Sequence, residues 1–189
     1  MDRYISYSEP KAVIEAKKWL GYLEHNDNHF IGLFNINVGK GGYNVFAEIV
    51  RQKCKRNLQG LPWCAVFVYA VFLNAYGKVK TKSILGRPHA ESRNLARAMR
   101  RRKLWRDNTY RPNAGDIVFI ANRGKRIDHC GIVAEVNDDG FTCIDGNTVD
   151  PYHRIDSYEG GAVAEREHSF KDSRIIGYGL TGGVENADI

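Results

Sequence analysis

The chain has 189 residues, 43% of them hydrophobic, which suffices for one sizeable core, and one domain spanning 1–189 is expected. Its 28 Lys+Arg against 22 Asp+Glu leave a formal charge of +6, favouring an anionic partner such as nucleic acid, a membrane face or a bacterial wall. Met1 to Pro10 holds no apolar signal region, and no stretch nears the roughly 18 apolar residues of a membrane span. The expectation is therefore synthesis in the cytoplasm without a signal peptide, no stable membrane insertion, and a dedicated route for any export.

Pro10 through Leu20 is predicted to be helical, with Val13, Ile14, Lys17 and Leu20 near one face and Gly21 as the stop. Residues 24–43 are polar and glycine-rich and read as a long loop. Within it, His25-Asn26-Asp27-Asn28-His29 offers one carboxylate, whereas calcium needs about six to eight oxygens. His25 and His29 lack a third ligand for zinc. No metal and no cofactor is expected.

Val45 to Cys54 is predicted as a second helix. The run Leu61 to Leu73 reads as a third, apolar on every side and hence buried, with Pro62 suited to the first helical position and Gly77 as the stop after Tyr76. Cys64 then falls in the first turn. Unpaired N–H groups and the helix dipole there stabilise a thiolate, the nucleophilic form of cysteine. An inert core cysteine is the other reading this position leaves open. His89 to Lys103 reads as an amphipathic helix carrying Arg93, Arg97, Arg100, Arg101, Arg102 and Lys103. It is either a solvated face or a patch for an anionic polymer.

After Pro112 the pattern becomes that of strands. Asp116 to Ile120, His129 to Val136, Phe141 to Asp145, Ala162 to Glu167 and Ile175 to Leu180 are predicted, with Asn137-Asp138-Asp139-Gly140 as a turn. Helices first, then hairpin-linked strands, indicate an α+β fold with an antiparallel sheet. The four cysteines, Cys54, Cys64, Cys130 and Cys143, form no CxxC pair and read as free thiols with different jobs.

A cysteine nucleophile needs a base and an orienting group behind it. His129 opens a strand; Cys130, pointing to the opposite face, reads as core. Pairing about the 138–139 turn puts Asp145 near residue 132, so a bulge or longer loop is needed to bring it beside His129. Asn147 follows Gly146 at the strand end. It is either turn chemistry or a hydrogen-bond partner for the histidine, the substrate or the oxyanion.

Together these pieces resemble the CHAP family, cysteine- and histidine-dependent amidohydrolases/peptidases of papain-like fold. The resemblance rests on Pro62-Trp63-Cys64-Ala65-Val66-Phe67-Val68, Gly115-Asp116-Ile117-Val118-Phe119, Asp128-His129-Cys130-Gly131-Ile132-Val133 and Ile144-Asp145-Gly146-Asn147-Thr148, in family order. Gly160-Gly161-Ala162-Val163 and Ile176-Gly177-Tyr178-Gly179 extend it. Two positions depart from the family pattern: Cys130 stands where Val or Ala is usual, and Asp145 where Glu is common.

The resemblance implies N-terminal helices packed on a C-terminal antiparallel sheet. It implies Cys64 as nucleophile, His129 as general base and then acid, Asp145 as the orienting carboxylate and Asn147 as an accessory residue. The Cys64 backbone N–H is the implied oxyanion donor, with Gln59 as a candidate side-chain donor and Trp63 as a candidate substrate contact. The implied substrate is bacterial peptidoglycan, cut at the N-acetylmuramoyl-L-alanine bond or within stem or cross-bridge peptides. The expected setting is a monomeric phage endolysin or lytic factor acting at the wall after release. A delivered antibacterial effector would share the chemistry. A basic nucleic-acid-binding module using residues 93–103 is the alternative from another class. The chain lacks a helix-turn-helix or an aromatic RNA-binding signature, so no nucleic-acid partner is expected. Intact Cys64, His129 and Asp145 argue against a catalytically silent scaffold.

Overall fold

The computed structural model describes residues 8–122, 124–154 and 160–181. Among these, the chain runs α1 (Lys11–Lys17), α2 (Val45–Cys54), α3 (Cys64–Leu85), α4 (Ser92–Arg101), β1 (Trp105–Asp107), β2 (Ile117–Ile120), β3 (His129–Val136), β4 (Gly140–Thr148), β5 (Ala162–Ser169) and β6 (Ile175–Gly179). The six strands form one antiparallel sheet in the order β1-β6-β2-β3-β4-β5. The fold is α+β, with the helices ahead of the sheet in sequence and packed on one of its faces.

Strand alternation divides the sheet's side chains into two sets. Ile117, Phe119, Cys130, Ile132 and Ile144 join the main core with Val13, Phe46, Met99 and the whole first half of α3. Val118, Ile120, Val133, Phe141, Cys143 and Tyr178 form a smaller cluster on the outer face. The stretch Cys64 to Leu73 is buried throughout, as its unbroken apolar run requires. At roughly 1.5–3 kcal/mol for each large side chain, this helix is a principal source of stability and a rigid mount for whatever sits at its start.

The helix boundaries differ from the sequence expectation in ways with physical causes. Trp63 is the N-cap of α3, so Pro62 lies just outside and Cys64 is the first helical residue. Gly77 breaks the helix with φ 75° and ψ 171°, but the chain resumes a helical path because Thr81, Ile84 and Leu85 bury against the core. The basic helix starts at Ser92 rather than His89. Strand β1 was not foreseen: three residues carry too little alternation to be read, and only pairing with β6 defines them.

The loop over residues 24–43 is pinned by short bridges from His25 to Val38 and Tyr43. Asn44 caps α2 by accepting the Ala47 N–H at 2.8 Å. Asp116, buried at the entrance to β2, accepts N–H groups from Asn113 and Thr181 and so ties the start of the strand to the tail. No helix among the described residues is long and apolar enough to cross a membrane.

Candidate active site

The start of α3 meets the start of β3. Cys64, 2% exposed, presents its Sγ 3.0 Å from the Ser92 Oγ at the start of α4. The His129 ring and the Cys130 thiol neighbour the same sulfur closely enough to stabilise negative charge on it. Behind the ring, His129 Nε2 lies 2.9 Å from Asp145 Oδ2, with side-chain exposures of 13% and 3%. Nε2 therefore donates to the carboxylate, and Nδ1 is the ring nitrogen left to face Cys64. The second carboxylate oxygen, Oδ1, accepts the Cys143 thiol at 3.0 Å.

The register explains how Asp145 reaches His129. Ile132 pairs Ile144 and Val133 pairs Cys143, with a bulge between Val133 and Glu135. Asp145 thus falls level with Gly131, two residues from His129. A Cβ on Gly131 would lie 1.8 Å from Asp145 Oδ1, so only glycine lets the carboxylate lie across β3 and reach the ring. Gly146 has a similar role on the inner side. A Cβ there would sit 2.4 Å from the Phe67 Cβ and 2.8 Å from the Trp63 Cζ3, so its absence lets β4 press against α3.

The electrostatics favour an ion pair. Hydrogen bonding from Cys130 holds the Cys64 thiol well below its ordinary range; burial opposes this, and His129 and Ser92 add to the lowering. Burial pushes the His129 ring down, but the charge and hydrogen bond of Asp145, with those of Cys64, carry it well above the ordinary imidazole range. Asp145 is buried, which favours its neutral form, yet His129 and Cys143 keep it below the usual carboxylate range. Burial raises the Cys130 thiol well above its ordinary range, so of these two neighbouring sulfurs Cys64 is the more readily ionised.

Ahead of α3 opens a cleft of about 390 Å³ that reaches Trp63, the residue before Cys64, and is lined in part by Glu24, Lys40, Gly42, Asn147 and Gly160. Trp63 is fully buried, stacked on Phe46 at 5.5 Å, and its indole N–H donates to Glu24 Oε2 at 2.8 Å. Burial raises the Glu24 carboxyl, with the Trp63 and Gly42 N–H groups partly offsetting the rise. Asn147 lines the cleft with φ 57°, a left-handed conformation that asparagine tolerates, just where β4 slips register against β5. The Gln59 amide is engaged elsewhere: it accepts from the Asn44 N–H at 2.9 Å and donates to the Asn44 carbonyl at 2.8 Å. Sequence reasoning missed Glu24, Ser92 and the contact from Cys130. None has a local signature, because each is placed by tertiary packing alone.

A thiol at a helix start, a histidine at a strand start and a carboxylate behind it form the working arrangement of papain-like cysteine hydrolases. Residues 56–147 match the family model of the CHAP domain, and this part of the chain is a CHAP domain. That match indicates a cysteine- and histidine-dependent amidohydrolase. Elements outside the matched range complete the same sheet and core, with β5 and β6 pairing to β4 and β2 and α2 packing on α3. No curated protein matches the chain.

Proposed function

We propose that this chain is a peptidoglycan hydrolase that cuts an amide bond with Cys64 as nucleophile, His129 as acid and base, and Asp145 as the group that orients and charges the ring. The observation that carries the reading is the juxtaposition of the three groups, with the His129 ring beside the Cys64 sulfur and its Nε2 2.9 Å from Asp145 Oδ2. The thiolate attacks the carbonyl carbon, and the developing oxyanion is met by the Cys64 backbone N–H at the α3 start. The His129 imidazolium gives its proton to the leaving amine, leaving a thioester on Cys64. His129 then takes a proton from water; the resulting hydroxide releases the acid and restores the thiolate.

The bond cut is N-acetylmuramoyl-L-alanine or one within a stem or cross-bridge peptide, in a single catalytic domain over residues 1–189. The basic surface suits an anionic wall, and the setting is that of a phage endolysin or lytic factor. Asn147, on the cleft, is an accessory contact for the peptide, whereas Trp63, fully buried, supports the cleft wall from behind and does not reach the substrate as the sequence suggested. Digestion of purified sacculi, with the new termini assigned by mass spectrometry, tests the reading. Wild-type protein should release new amino termini matched by new carboxyl termini. Cys64→Ala should retain less than about a hundredth of the turnover with an unchanged melting temperature, because removing a covalent nucleophile costs several orders of magnitude. Turnover above that level would exclude Cys64 as the nucleophile.

A further inference from the structure

We propose that Cys143, Asp145 and His168 form a site for a thiophilic divalent cation of the zinc class, on the outer face of the sheet and directly behind the His129–Asp145 pair. The three candidate ligand atoms all lie within 4.8 Å of one another. Cys143 is 0% and Asp145 2% exposed, and the His168 side chain is 6% exposed. The β4–β5 register brings them together: Phe141 pairs His168, Cys143 pairs Arg166 and Asp145 pairs Ala164, so alternate residues of both strands share the outer face.

His168 is arranged as a ligand. Its Nδ1 lies 3.2 Å from Asp172 Oδ2, and Arg174 grips the same carboxylate oxygen at 2.7 Å. A carboxylate so held only accepts, so Nδ1 carries the proton. In the neutral ring Nε2 is then a lone pair, and it is buried with no hydrogen-bond partner among the described residues. An orphaned buried acceptor is costly, and a cation relieves that cost. Metal-bound histidines characteristically donate their other ring N–H to a carboxylate, as His168 does to Asp172. The donor set of one thiolate, one carboxylate and one imidazole balances a dication and suits zinc, which often takes three protein ligands with an exchangeable fourth.

Binding is written as an exchange. The Cys143 thiol, which donates to Asp145 Oδ1 in the free protein, releases its proton to solvent, and the thiolate sulfur and Oδ1 take the cation. Each cation bound displaces one proton. Asp145 then lies between the cation and the His129 ring. A positive charge on Oδ1 weakens the hold of Oδ2 on the imidazolium, so occupancy slows hydrolysis; this last consequence rests on the function proposed above.

Cobalt is the probe. The full chain carrying Cys64→Ala, which removes the reactive sulfur, should develop thiolate-to-cobalt charge-transfer absorption and tetrahedral visible bands that saturate at one cation per chain, and zinc should displace them. Asp172→Asn should weaken binding about ten- to a hundredfold, the usual cost of losing such a carboxylate. Cys143→Ser should abolish the thiolate band, and His168→Gln should weaken binding by more than that range. Absence of the band in the Cys64→Ala protein overturns the proposal without reliance on any ligand variant. Persistence of the band in Cys143→Ser, or an unchanged cobalt affinity in His168→Gln, also overturns it. In the wild type, zinc should slow wall hydrolysis, and His168→Gln should relieve part of that slowing. A chain that binds cobalt this way but never cleaves sacculi would sink the hydrolase reading alone. A chain that cleaves sacculi without binding cobalt would sink the cation site alone.

Discussion

The Cys64 sulfur lies 3.0 Å from the Ser92 Oγ and beside the Cys130 thiol and the His129 ring. Each contact stabilises negative charge on a group whose burial alone would keep it neutral. The activity profile follows from the signs. Cys64 is lowered, so kcat/KM should fall on the acid side as the thiolate takes a proton. His129 is raised, so it should fall on the alkaline side as the imidazolium loses one, leaving a bell with its plateau through neutrality. Two separate limbs are expected, an acid one and an alkaline one. A single rising limb near the ordinary thiol range would contradict the ion pair. Cys130→Val dissects the acid limb. It removes the largest stabiliser of the thiolate, so the pH at which iodoacetamide begins to alkylate Cys64 should move upward while the melting temperature changes little. An unmoved alkylation profile would reduce Cys130 to core filling.

Whole elements act through how closely they approach one another. Asp145 can serve His129 only because Gly131 leaves the space between them empty. Gly131→Ala should displace the carboxylate and lower turnover on wall fragments by about a hundredfold, the usual scale for a misplaced catalytic group. It should also cost about 1–3 kcal/mol in denaturant unfolding from overpacking. Full turnover in a folded Gly131→Ala protein would show that Asp145 does not orient the ring. Much of this was legible beforehand. The apolar run from Ala65 to Leu73 announced a buried helix with Cys64 at its start, and the turn at 137–140 announced the β3–β4 hairpin. Pairing arithmetic brought Asp145 to within a few residues of His129. The closing step was not legible, because it depends on a bulge at Val133/Glu135 and on the missing side chain of Gly131. The strands showed their alternation, but alternation does not say which neighbour stands opposite. For that reason Cys143, which holds Asp145, and His168, which lies beside it, were not linked from sequence.

Across the whole molecule, the same helix that supplies Ser92 to the nucleophile carries the densest positive charge. Several of its cations already have structural work. Arg93 pairs with Glu91 at 2.6 Å, Arg100 lies 4.0 Å over the Trp105 ring, and Arg102 donates to the Ser83 and Ala98 carbonyls at 3.1 Å. Arg97 and Arg101 project from the exposed side and are the better probes of attachment to an anionic wall. Replacing both by Glu should weaken binding of the protein to intact sacculi by about fivefold at low ionic strength, since each exposed charge contributes on the order of 1 kcal/mol or less. The deficit should shrink as salt is added, because exposed charges are screened over about 10 Å at 0.1 M. Turnover of a short, neutral stem peptide should stay within about twofold, since neither arginine replaces a group that touches Cys64. Arg100→Glu is a poorer test, because it also strips a cation from the Trp105 face and loosens β1. An equal loss on the small peptide would mean that α4 acts by shaping the Ser92–Cys64 contact, and the long-range attraction would then have no part in the activity.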